Sequence, residues 1–281
     1  MAVSVDFGRR VTPFDLWGWA VLLGLLGAVF GSFIATIAVR WPEGRSVARG
    51  RSACDACGET LTPVELVPVL SFLILRGRCR HCRATISPSH WVIEVAGLAI
   101  GAVAGLVAPG LEGIAGAVFG WLLLALAALD LAAFWLPNVL NAALAAAGLG
   151  AGALGLAPSL LDRMIGGVAG FAVLWLVARG YKALRGRQGL GGGDPKLFGA
   201  IGCWLGWQNL PLLLLAASLI GLAAVLGMMS VGRRVRATDR LPFGVMLAAG
   251  AWALWVGAQL FPPPIADGQV VAIWQQVPIA H

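Results

Sequence analysis

"PKLFGAIGCWLGWQNLPLLLLAASLIGLAAVLGMMS", Pro195 to Ser230, holds no charged residue beyond Lys196. A single bilayer crossing needs about 20 apolar residues, so this stretch is either one overlong span or two that turn back. The flanking charges decide between them. Arg179, Lys182, Arg185 and Arg187 precede it, and Arg233, Arg234, Arg236 and Arg240 follow it. Short loops rich in Lys and Arg stay on the cytoplasmic side. One crossing cannot join two such loops, so the stretch is predicted to be a hairpin turning at "GWQNLP", Gly206 to Pro211. Its first arm is about a dozen residues, short for a full span.

The same rule organises the rest of the chain. It has 281 residues, 59% hydrophobic and 12% charged, with a mean hydropathy of +0.86. That composition excludes an ordinary soluble domain. Apolar segments are read at 16–39, 91–108, 113–130, 138–157, 164–179, 195–207, 210–230 and 241–261. The first is too long for the core of a cleavable signal and lacks a small-residue cleavage site. Of the 20 Lys and Arg residues, all but Arg9, Arg10 and Arg163 lie in 40–83, 179–196 or 233–240. The expected fold is an all-α polytopic membrane protein with about eight transmembrane helices and both termini outside. The net charge of +7 sits where anionic headgroups would meet it, and nucleic acid is not required.

The loop after the first span carries "CDAC" (Cys54, Cys57) and "CRHC" (Cys79, Cys82). Two C-x2-C knuckles can present four thiolates tetrahedrally, as structural zinc prefers. A redox pair and free thiols are the other readings, and a disulfide is disfavoured in a reducing compartment. His81 offers a substitute ligand. The intervening "LVPVLSFLIL" (Leu66–Leu75) is too short to cross a bilayer and is expected beneath the knuckles or against headgroups. Residues 40–90 thus read as a small zinc-stapled cytoplasmic domain. It follows an N-terminal segment with the first span (1–39) and precedes a seven-helix catalytic domain (91–261) and an external tail (262–281). Cys203, in an apolar segment, reads as a small buried hydrophobe.

Three acids stand where a charge is expensive: Glu94, Asp130 and Asp194. Ionisable groups at membrane depth are rare and usually functional. Taken singly, Asp194 is equally a helix cap and Asp130 an interfacial acid. Taken together, the third segment ends near Asp130 on the face where the sixth begins at Asp194, so the two carboxylates are free to converge. A pair sharing one proton can act as base and acid in peptide hydrolysis. Gly191 and Gly193 beside Asp194 are expected to use positive φ and to let a substrate backbone come close.

These motifs resemble those of the prepilin peptidases, the bacterial branch of the GxGD intramembrane aspartic proteases. "GGGDPK" (Gly191–Lys196) is similar to the family's G-x-G-D-x-K signature. "GSFIATIAVRWP" (Gly31–Pro42), the cysteine loop, "WVIEVAG" (Trp91–Gly97), "LDLAAFWLPN" (Leu129–Asn138) and "RLPFG" (Arg240–Gly244) resemble its other blocks in order. The resemblance implies Asp130 and Asp194 as the catalytic pair and structural Zn2+ on the four cysteines. It implies type IV prepilins or type II secretion pseudopilins as substrates, cut at the cytoplasmic face of the inner membrane after a glycine and before a hydrophobic residue. It also implies N-methylation from S-adenosylmethionine, for which no glycine-rich Rossmann signature is readable. The chain departs from the family pattern at Ala35, Asn138, Pro195 and Val245, leaving both aspartates and all four cysteines in place. Lys196 either orients a substrate carboxylate, tunes the pair or snorkels. Glu94 either meets a cationic substrate group or holds the zinc domain to the core. A proton-coupled transporter and a non-enzymatic zinc-bearing scaffold are the rival readings. The transporter would want inverted repeats and midplane carboxylates.

Overall fold

The structure, a computed structural model, describes residues 13–47, 52–54, 56–187, 189–233 and 241–261. The expected external tail at 262–281, Asp55, and the loop arginines Arg49, Arg51, Arg234, Arg236 and Arg240 lie outside those residues. The elements are α1 (Pro13–Arg40), α2 (Leu70–Ile74), α3 (Pro88–Val107), α4 (Leu111–Ala133), α5 (Asn138–Ala153), α6 (Leu160–Arg185), α7 (Asp194–Leu205), α8 (Leu210–Ser230) and α9 (Phe243–Leu260). All eight predicted apolar segments are helices. Six of these (α1, α3, α4, α6, α8 and α9) are long and apolar enough to cross a membrane by length and composition.

The predicted hairpin is present. Gly206 ends α7 at φ 74, a short 3-10 turn covers Trp207–Asn209, and α8 starts at Leu210. The first arm, α7, has 12 residues, about 18 Å against a hydrocarbon core of about 30 Å. Its surroundings make that length tolerable. Every residue of α7 except Lys196 is buried, so its ends are covered by protein instead of lipid.

Small residues set how closely the helices approach. A Cβ on Gly97 or Gly101 of α3 would strike the backbone carbonyls of Gly27 or Leu23 in α1, and one on Gly31 would lie 2.8 Å from Glu94 Cα. The same device joins α6 to α7, where Gly166 and Gly202 face each other's backbone. Lipid offers little hydrophobic drive between helices, so packing of this kind carries the association. Around α7 the core fills with Phe119, Leu123, Leu197, Phe198, Ile201 and Leu213. Phe119 stacks on Trp204 at 4.7 Å between centroids, and the Trp204 indole donates to the Leu144 carbonyl at 2.7 Å.

Arg163, the one arginine predicted on the outer side within the described residues, is only 2% exposed. Its guanidinium donates to the carbonyls of Pro158, Gly148, Cys203, Leu156 and Ala157, tying the α5–α6 connection to the end of α7. Beside it Asp162 accepts from Trp207 and Gln208 in the hairpin turn. Arg163→Leu strands buried carbonyls at a cost of about 1–3 kcal/mol each, so a net loss of about 3 kcal/mol or more is expected. A lowered unfolding temperature in detergent measures it.

Candidate active site and metal site

Four charged side chains are buried among the described residues: Glu94, Asp130, Arg163 and Asp194. Asp130 occupies the last turn of α4, which closes at Phe134 in the left-handed region (φ 50). The chain then passes through the buried Leu136 and enters α5 at Asn138. Asp194 is the first residue of α7. Asp130 meets the N-terminus of α9, where free N–H groups favour negative charge, and Asp194 itself opens α7. Val245, in the first turn of α9, donates its N–H to Asp130 Oδ2 at 3.2 Å, and the Gly244 backbone faces the same carboxylate. Gly191 donates its N–H to Asp194 Oδ2 at 2.9 Å.

Leu136 packs against Gly193 and Gly244, the glycines beside the two aspartates. A Cβ on Gly193 would lie 3.1 Å from Leu136 Cδ1, and one on Gly244 would lie 3.2 Å from the same methyl and 2.8 Å from Asp130 Oδ2. The two carboxylates are close enough to feel each other's charge. Oδ2 of each carboxylate accepts from a backbone N–H.

The expectation of positive φ in the triglycine is not met. Gly193 stands at φ −84, and neither Gly191 nor Gly192 is among the positive-φ residues. Their lack of a side chain serves the site differently. A Cβ on Gly191 would lie 3.0 Å from Asp194 Oδ2, and one on Gly193 would lie 2.7 Å from the Leu136 side chain. Only Gly192 faces open space. Lys196 is exposed and donates to Asn138 Oδ1 at 2.7 Å, with no ion pair to either aspartate. Gly244, Val245 and Leu136 were not among the predicted site residues. "RLPFG" contains Gly244 and is followed by Val245, but nothing in it says that this backbone belongs to Asp130.

Two family models match the chain, and one of them spans both aspartates. The bacterial peptidase A24 N-terminal domain matches residues 25–107, and the type IV leader peptidase family matches residues 117–226. The chain belongs to the type IV leader peptidase family. Relatives named prepilin leader peptidase/N-methyltransferase include one from Burkholderia pseudomallei (strain 1026b), 45% identical over 206 residues, which cover 72% of this chain and 66% of the relative. One from Aeromonas hydrophila is 41% identical over 73% of this chain and 71% of the relative. Another from Pectobacterium carotovorum subsp. carotovorum is 33% identical over 87% of this chain and 95% of the relative. No solved structure matches the chain.

Within the leader peptidase's N-terminal region, Cys54, Cys57, Cys79 and Cys82 bring their sulfurs within 4.8 Å of one another and could hold a metal ion. Cys54 Sγ and Cys82 Sγ are 3.9 Å apart, against an edge of about 3.8 Å for a tetrahedron of thiolates around zinc. The two knuckles repeat one local geometry. Cys54 N–H bonds the Glu59 carbonyl and Gly58 N–H returns to Cys54, while Cys79 N–H bonds Ala84 and Arg83 N–H returns to Cys79. Gly58 and Arg83 both take positive φ, and the bridges Ala53–Thr60 and Arg78–Thr85 close each turn. Backbone N–H groups of Cys82 and His81 hold the Cys79 thiol down at about 6, toward the thiolate a metal needs. His81 is not part of the cluster.

In the segment between the knuckles, Leu70, Leu73 and Ile74 are all more than half exposed. It meets the bundle where Phe72 stacks on Trp91 of α3 and where Glu94, buried in α3, accepts the Val69 N–H at 2.8 Å. Val69 sits in a strained γ-turn (φ 65, ψ −50) unusual for a β-branched residue, so the Glu94 bond holds a conformation the chain would otherwise leave. That bond ties Glu94 to the cysteine domain, one of the two roles read for it.

Proposed function

We propose that this leader peptidase is an intramembrane aspartic endopeptidase of the bacterial inner membrane. In this reading it removes the leader of type IV prepilins or type II secretion pseudopilins at the cytoplasmic face. The observation that carries the reading is that Asp130 and Asp194, buried on separate helices, lie within reach of each other's charge. Two neighbouring carboxylates cannot both be charged cheaply, so one keeps a proton. The charged aspartate takes a proton from water as the water oxygen adds to the scissile carbonyl carbon. The protonated partner donates to the carbonyl oxygen. As the C–N bond breaks, the newly protonated aspartate passes its proton to the departing nitrogen while its partner takes one from a hydroxyl of the diol, so the pair again holds one proton.

The basic loops support a cytoplasmic site, and the domain bounds 1–39, 40–90, 91–261 and 262–281 follow from the same sidedness. Zn2+ on the four cysteines would be structural, since four thiolates leave no open coordination position. Cys57→Ser is expected to remove most of the bound zinc, measured as metal per purified chain, and undiminished zinc would refute the assignment. Lys196 and Asn138 support the entrance to α7, and Gly191 and Gly193 support Asp194. The lipid bilayer is the remaining partner.

The test is co-expression with a candidate prepilin, following loss of the leader on a gel and the mass of the new N-terminus. A substrate left whole by the wild-type protein would overturn the reading. The relatives' names pair cleavage with N-methylation. An added methyl group on the product, dependent on S-adenosylmethionine, would extend that second activity to this chain.

A further inference from the structure

We propose that the cysteine domain carries a binding site for an anionic phospholipid. Arg76, Arg78, Arg80 and Arg83 hold the phosphate, and an acyl chain lies along α2. This goes beyond the cleavage reaction and does not depend on which substrate is cut.

The four arginines, with Ile74 and Leu75, line a cavity of about 760 Å³. All four are exposed, and among the described residues none of their side chains makes an ion pair or a hydrogen bond. Arg80 feels the charge of Glu65, but that carboxylate is already taken by the Thr62 N–H and hydroxyl at 2.8 and 2.7 Å. Phosphate suits such a cavity, because its oxygens match the guanidinium fork two at a time. The backbone that presents the arginines is fixed. The N–H groups of Arg76, Arg78 and Arg83 donate to the carbonyls of Leu73, Leu75 and Cys79. Arg76 and Arg83 stand in the left-handed region at φ 53 and 61, which is costly for a residue with a Cβ. The first knuckle places Gly58 where the second has Arg83, so the turn itself does not require an arginine.

Ile74 decides between a lipid and a soluble anion. It lines the cavity and is 74% exposed, and with Leu70 and Leu73 it forms an i, i+3, i+4 face of α2 that is open along its length. A free phosphate would meet the arginines and leave that face in water. A phospholipid brings an anionic head for the one and an acyl chain for the other. The bilayer is within reach. The domain joins α1 to α3, both long and apolar enough to cross it. Phe72, stacked on Trp91 at 5.9 Å, and the Val69 N–H on Glu94 hold α2 against the first two turns of α3.

The test uses the full chain in phosphatidylcholine bilayers that contain a small share of phosphatidylglycerol with a photoreactive group in its acyl chain. Labelling is expected on Leu70, Leu73 or Ile74, and phosphatidylcholine carrying the same group should label them about tenfold less. Arg78→Gln and Arg80→Gln should each cut the labelling about fivefold, and together about 25-fold. The single variants keep the test readable where the pair fails to purify. Lys182→Gln with Arg185→Gln removes the same charge from the last turn of α6 and should leave the labelling unchanged. An equal loss in that α6 variant would mean general attraction to the surface and overturn the site, as would equal labelling by the two lipids. Inorganic phosphate that raises the unfolding temperature, with α2 unlabelled by phosphatidylglycerol, would assign the cavity to a soluble anion instead. Benzoylphenylalanine in place of Ile74 that captures protein and no lipid would equally overturn the proposal.

Discussion

Asp194→Asn is expected to slow leader removal by a factor on the order of 10²–10⁴, the range that a positioned acid–base group contributes. Asparagine matches aspartate in size, and its Oδ1 can still accept the Gly191 N–H that Asp194 Oδ2 accepts at 2.9 Å. The start of α7 should therefore keep its shape, and what disappears is the ability to take up or release a proton. Asp130→Asn has the same logic, with the Val245 N–H as the preserved bond. Because the two carboxylates act as one device, the double substitution should cost little more than either alone. Single-turnover cleavage in membranes measures all three. Either single variant working within about tenfold of wild type would refute a shared-proton mechanism. A non-enzymatic scaffold would show no loss in any of the three.

Much of this fold was legible because the membrane leaves few choices. Basic loops on both sides of Pro195–Ser230 forced an even number of crossings, and Gly206 at φ 74 with the Trp207–Asn209 turn is where the chain reverses. The aspartates were legible by cost alone, as acids in apolar sequence. What stayed hidden depends on partners far along the chain. Asp130 and Val245 are 115 residues apart, and no local pattern reveals that one loop's N–H steadies another helix's carboxylate. Arg163 looked like a stray outer charge, but its five carbonyl partners come from three stretches that only folding brings together. The triglycine was misjudged for a related reason. Glycine has two uses, backbone freedom and absence of bulk, and sequence cannot say which applies until the neighbour is known. Here the neighbours are Asp194 and Leu136.

Absence of bulk gives the second large effect. Gly244→Ala is expected to reduce kcat by about 100-fold while leaving the protein at least as stable. Alanine is the better helix former by about 1 kcal/mol, so α9 itself should not suffer. The new methyl, however, would lie 2.8 Å from Asp130 Oδ2 and 3.2 Å from Leu136 Cδ1. The first distance is closer than real Cβ contacts come, and Leu136 already closes the other side against Gly193. Asp130 must therefore shift, and its bond from Val245, already 3.2 Å long, goes with it. A displacement near 1 Å at a catalytic group costs about 100-fold. Gly257→Ala supplies the control. It lies in the same helix with nothing within 4 Å of the added methyl, so it gains helix propensity without touching the site. Cleavage rate and unfolding temperature, measured on both variants, separate the two uses of glycine: Gly257→Ala should keep its activity, and Gly244→Ala should lose it without unfolding. Full activity in Gly244→Ala would mean that the first turn of α9 does not hold Asp130 in place.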